Sequence, residues 1–96
     1  MKVEISGNTA FLQGRLDTAV SAQVQADLKP LIEQASDTVV LDCSQLEYIS
    51  SSGLRIFLML RKEASSKGGK VIIRGISNEI RAVFMMTGFI NLFDFE

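Results

Sequence analysis

Polar and apolar residues alternate from Lys2 to Ser6, with Val3 and Ile5 on one face, and after Gly7-Asn8 a second short apolar segment runs from Thr9 to Gln13. Period-two patterning on either side of a Gly-Asn pair predicts a β-hairpin, with Gly7 taking the positive φ required at the first central position of a tight turn. Gly14 is expected to end the second strand. From Asp17 the period changes. Val20, Val24, Leu28, Leu31, Ile32 and Ala35 recur every three or four residues, which predicts a helix from Asp17 to Ala35. Asp17 or Thr18 can cap its first turn. Pro30 deletes a backbone donor inside the pattern and is expected to kink the helix or divide it near Lys29.

Val39-Val40-Leu41 is a continuous aliphatic run, the mark of a central strand buried on both faces and parallel to its neighbours. The following segment, Asp42 to Ile49, reads as a loop held down by apolar anchors. A second helix is expected from about Ser52 to Ser66, with Leu54, Phe57, Leu58 and Leu60 apolar, and Gly68-Gly69 stops it. Val71-Ile72-Ile73 is a further buried strand. Ser77-Asn78-Glu79 opens a third helix that runs to about Thr87, with Gly88 as its C-terminal cap, and Asn91 to Glu96 adds a short strand or helical turn. The sum is one α/β domain over residues 1–96: a small mixed sheet, hairpin first and parallel strands after, covered by three to four helices.

Composition and charge narrow what such a domain does. Ten Lys and Arg against eleven Asp and Glu give a net charge of -1, which supplies no field to gather nucleic acid or anionic lipid, so nucleic-acid binding is not expected, and no apolar run approaches the length of a membrane span, so neither is membrane insertion. The chain has no histidine, which removes the usual general base near neutral pH and the commonest metal ligand. No phosphate-binding loop, dinucleotide fingerprint or metal-ligand cluster occurs, so no cofactor, no metal and no enzymatic activity are expected. One cysteine, Cys43, reads as a small core residue in a reducing compartment, and the cytoplasm is the expected location. The charged start, Met1 to Ile5, lacks the apolar stretch of a signal peptide, so the mature chain is expected to begin at Met1.

In an open α/β sheet, chemistry collects where strands end and helices begin. Three such places exist: Gly14 to Asp17, Tyr48 to Leu54, and Gly75 to Asn78. The middle one places Ser50, Ser51, Ser52 and Gly53 at the start of an otherwise hydrophobic helix. A helix start uses one capping hydroxyl, worth ~1 kcal/mol, and the remaining hydroxyls are free to be modified. A phosphate there adds close to two negative charges where the helix dipole accepts them, so its effect falls on whatever protein docks against the loop. As nucleophiles the serines lack a base, for Lys62, Lys67 and Lys70 stand at or beyond the far end of the helix. Met59, Met85 and Met86 are expected in the core, with Met85-Met86 the pair that could instead leave an adaptable apolar patch.

Val39-Val40-Leu41-Asp42-Cys43-Ser44, Tyr48-Ile49-Ser50-Ser51-Ser52-Gly53-Leu54, Gly68-Gly69-Lys70-Val71 and the stretch from Phe84 to Phe93 with Thr87-Gly88-Phe89 resemble a STAS domain of the stand-alone anti-sigma factor antagonist type. Gly14-Arg15-Leu16-Asp17 fits the same pattern. The resemblance implies partner switching: the unphosphorylated antagonist binds an anti-sigma factor serine/threonine kinase and releases the sigma factor, phosphorylation ends that binding, and a phosphoserine phosphatase resets it. The family's acceptor is the first serine of the pair before Gly-Leu, which falls on Ser51, with Ser52 or Ser50 as the other candidates. Ser50 stands where the best-known members carry aspartate, and Arg55 where a small residue is common. Asp17, Ser50, Ser51, Ser52, Gly53, Leu54, Arg55, Ser77 and Asn78 form the expected partner surface. The alternative is a constitutive subunit of a lipid-transport ABC complex, to which small STAS proteins also belong.

Overall fold

The computed structural model describes residues 1–33 and 37–96. The hairpin forms from β1 (Lys2–Ser6) and β2 (Thr9–Leu16), joined antiparallel across Gly7-Asn8 with Gly7 at φ +59°. The second strand does not end at Gly14. It continues to Leu16, and Gly14 sits at φ +104° where the pairing with the next strand slips by one residue between Gly14 and Arg15. A residue without Cβ adopts that backbone at no steric cost, so the glycine bends the strand at a bulge instead of closing it.

Helix α1 (Ser21–Glu33) starts later than its apolar spacing implies. The Val20 N–H donates to the Asp17 carboxylate (3.3 Å) and the Ser21 hydroxyl to the Asp17 carbonyl (2.8 Å), so Asp17 caps a separate turn ahead of the helix. The helix continues undivided through Pro30. The carbonyl that Pro30 leaves without a partner is that of Ala26, and both residues lie on the exposed side, where water can serve it. The expected end at Ala35 lies outside the described residues.

β3 (Thr38–Ile49) is far longer than Val39 to Leu41, and the segment from Asp42 to Ile49 is strand, not loop. Its pairing with β2 gains one extra residue on β3 between Phe11 and Gln13 and another between Gly14 and Arg15. Two bulges stretch the inward spacing from two to three, so that Cys43, Leu46 and Ile49 are the buried positions. That spacing is what disguised the strand. Helix α2 (Ser51–Ser66) ends in a Schellman motif, the Gly69 N–H bonded to the Ala64 carbonyl and the Gly68 N–H to the Ser65 carbonyl, with Gly68 at φ +83°. The Lys67 ammonium donates to the Ile32 carbonyl (2.9 Å), supplying a donor to the last turn of α1. β4 (Lys70–Arg74), α3 (Asn78–Thr87), a 3-10 turn (Phe89–Asn91) and β5 (Asp94–Phe95) complete the chain. Ser77 caps α3 and Gly88 closes it in the left-handed region.

The sheet order is β1-β2-β3-β4-β5, antiparallel at the hairpin and parallel beyond it. This is the expected α/β architecture, a small mixed sheet with three helices. One core joins Ala10, Leu12, Leu41 and Ile73 of the sheet to Leu28 of α1, Phe57 of α2 and Phe84 of α3. Phe84 lies at its centre, 6.3 Å from the Phe57 ring and edge-on to Phe93 (5.8 Å) and Phe95 (5.5 Å). All three helices therefore cover one face. The register places Glu4, Phe11, Asp42 and Arg74 side by side on the other face, which no helix covers, and Phe11 is 41% exposed there.

Candidate functional site

The site is built at the end of the sheet where β2 and β3 finish together. Leu16 pairs with Ile49, and the Ser50 N–H donates to the Leu16 carbonyl (2.9 Å), which draws the start of α2 against the turn at Asp17. Ser50 is extended (φ −89°, ψ 172°) and its hydroxyl accepts from the Gly53 N–H at 3.2 Å. It is the N-cap of α2. Ser51 is then the first helical residue and is exposed, whereas Ser52 is half-buried. One hydroxyl caps, and the next is left facing solvent.

Gly53 and Leu54 hold this start in place. A Cβ on Gly53 would come within 2.7 Å of Leu16 Cγ and 2.9 Å of Ile49 Cγ1, so only glycine lets α2 approach the two strand ends this closely. Leu54 is 2% exposed and belongs to the core. Gly53 has no side chain and that of Leu54 is packed inside the domain, so neither residue offers a side chain to a partner. Gly53 lies inside the helix, and its role is this close approach.

Charge around Ser51 comes from arginine. The Arg15 guanidinium lies over the Tyr48 ring, 4.4 Å from its centroid, the two residues being directly paired across β2 and β3. This exposed aromatic and cationic pair is an element of the site that sequence reading missed. No local sequence signal marks it, because the bulge that brings Arg15 opposite Tyr48 is set by the pairing of two strands distant along the chain. Arg55 is exposed one turn beyond Ser51, and the first turn of α2 holds no acidic residue.

Ser77 and Asn78 are exposed, but they meet β3 elsewhere. Gly75 lies against Ser44, with its Cβ position 3.0 Å from that of the serine, well before Ser50 along the strand. Among the described residues no hydrogen bond joins Ser77 or Asn78 to the serine segment, and the Ser77 hydroxyl is engaged by the Ile80 N–H (3.2 Å). Met85 and Met86 are not core residues. They stand 62% and 86% exposed on α3, while Phe84 between the turns takes the interior position.

Two adjacent groups of β3 have shifted pKa values. Burial, followed by the nearby Asp42 charge, pushes the Cys43 thiol up to about 12 from its ordinary 9.0. Asp42 faces opposing effects. Burial, the largest, raises its pKa, but hydrogen bonds from Ser44 and the Arg74 guanidinium (2.9 Å) together hold the carboxyl below its usual value. Among the described residues no group of three or more His, Cys, Asp or Glu comes together in a way that could hold a metal ion, and no helix is long and apolar enough to cross a membrane.

The family model of the STAS domain matches residues 1–96. The chain belongs to the STAS family. BtrV of Bordetella bronchiseptica, whose name provisionally assigns it as an anti-sigma factor antagonist, is 34% identical over 84 residues, covering 88% of this STAS chain and 72% of BtrV. Two structures of the anti-sigma factor antagonist SpoIIAA share the fold. The unphosphorylated form aligns with a TM-score of 0.69 at 24% identity, over 88% of this chain and 81% of SpoIIAA. The phosphorylated form of the Bacillus protein aligns with a TM-score of 0.71 at 23% identity, over 99% of this chain and 89% of that one. The five-stranded sheet and its three helices are thus those of the STAS family.

Proposed function

We propose that this STAS protein is an anti-sigma factor antagonist of the cytoplasm that works as a phosphorylation-controlled switch. The observation that carries the reading is the division of labour at the start of α2: Ser50 supplies the cap, and the Ser51 hydroxyl stands exposed beside it with no structural duty. The name of BtrV and the existence of SpoIIAA in unphosphorylated and phosphorylated forms support it. The unmodified protein docks its Tyr48 to Arg55 edge on an anti-sigma factor that is also a serine/threonine kinase, and the sigma factor is released. In the transfer, the Ser51 oxygen attacks the γ-phosphorus of the kinase's ATP, and the bond to the β–γ bridging oxygen breaks with its electron pair leaving on ADP. The hydroxyl proton passes to a base of the kinase. The added charge then meets a desolvated contact and ends the complex, and a phosphoserine phosphatase restores it. In this reading the base and the nucleotide are the kinase's, and the domain takes part as its protein substrate rather than as an enzyme.

The test is a pair of pull-downs from host lysate with wild-type and Ser51→Glu protein as baits. A kinase retained by the wild type and lost with Ser51→Glu supports the switch. Retention of the same complex by both baits overturns it and favours a fixed subunit of a larger assembly, such as a lipid transporter.

A further inference from the structure

We infer that Arg55 is the side chain that holds a phosphate on Ser51, which makes the modified state a property of the domain and not of the partner alone. The inference rests on the switch reading for the modification itself. Ser51 and Arg55 are four residues apart on α2 and both exposed, so they share a face, with Cβ atoms about 5–6 Å apart. That separation suits a guanidinium and a phosphate joined through two parallel hydrogen bonds.

The surroundings of Arg55 single it out. The helix neighbours three and four residues away are Ser51, Ser52, Leu58 and Met59, so no carboxylate of α2 reaches it. The ion pairs among the described residues are Lys2 with Glu4 and Asp42 with Arg74, and Arg55 takes part in neither. A cation this close to the positive end of a helix dipole gains nothing from the fold, and a first turn without acids leaves that cost uncompensated. Arg15, the other cation of the edge, is already stacked on Tyr48. The same geometry separates the three serines. Three and four residues beyond Ser50 stand Gly53 and Leu54, both buried, and Ser52, three residues before Arg55, is itself half-buried, so Ser51 is the serine whose exposed hydroxyl shares open surface with the guanidinium. Once paired with the phosphate, Arg55 is also withdrawn from any acidic group of a docked partner. Phosphorylation thus removes a contact as well as adding a charge.

The experiment installs phosphoserine at position 51 during translation, so no kinase is needed, and follows the phosphate by phosphorus NMR between about pH 4.5 and 8 in the wild type, Arg55→Gln and Arg55→Lys. The guanidinium favours the dianion, so the second ionisation is expected about half a pH unit or more lower in the wild type than in Arg55→Gln, with Arg55→Lys between them. The helix terminus acts equally in all three proteins, and the difference isolates Arg55. Coincident titrations in the wild type and Arg55→Gln would overturn the pairing, while leaving the switch to be judged by its own pull-down. Because Arg55 is exposed, the substitution leaves the core intact, which circular dichroism of each sample checks.

Discussion

Ser50 and Ser51 are chemically identical neighbours with opposite duties, and the difference is one hydrogen bond. Replacing Ser50 by Ala removes the acceptor of the Gly53 N–H and should lower stability by about 1 kcal/mol, whereas Ser51→Ala removes no partner and should stay within about 0.5 kcal/mol of the wild type. Urea unfolding of the two variants side by side measures this, and equal losses would show that the capping role is shared. The sequence alone makes a surplus of hydroxyls at this helix start visible, because caps are a local matter of residue type. Which serine caps depends on where β3 ends. That boundary was hidden, since its final residues bury every third position instead of every second.

At the scale of elements, the approach of α2 to the ends of β2 and β3 is set by a missing side chain. Gly53→Ala adds a methyl group within 2.7 Å of Leu16, a residue fully buried and without room to retreat. The gain in helix propensity, about 1 kcal/mol, is opposed by overpacking, which typically costs about 1–3 kcal/mol. The variant should therefore be less stable than the wild type and should shift the Ser50 to Ser52 segment outward. A thermal melt and amide shifts of those residues check both, and an unchanged melt would mean that α2 tolerates a wider seat. The helices follow from their periodicity, and the centres of β3 and β4 from continuous aliphatic runs, because burial imposes its own pattern. The bulged length of β3, the delayed start of α1 and the place of Gly53 do not, because each is decided by a contact with an element distant in sequence.

For the whole molecule, the two perturbed groups described above bound the pH range of full stability. Asp42 ionises below its ordinary 3.8 in the folded chain, so its contribution is present above that value and is lost as acid protonates it. Cys43 is the mirror case. Its folded pKa, about 12, exceeds the ordinary 9.0, so stability is whole below pH 9 and falls by about 1.4 kcal/mol per unit as alkali draws the thiolate out of the unfolded chain. Urea midpoints measured across pH should decline at both ends, and Cys43→Ala should flatten the alkaline side. A slope above pH 9 that survives this substitution would assign it to another group. The expected mixed sheet is present, yet its uncovered face was not foreseen, because Val39-Val40-Leu41 reads as a strand with helices on both sides. Val40 is nonetheless 8% exposed on that uncovered face, outside the core cluster.

The order of the strands across the sheet is also their order along the chain. A polypeptide leaving the ribosome can therefore zip each new strand onto one already laid down, without holding an edge open for a segment still unmade. Each parallel addition still waits for the helix that crosses back over the sheet, so the hairpin is the one pairing closed by a tight turn. Phe93 and Phe95, both edge-on to Phe84, arrive last and close the core over an assembly whose layout is already complete.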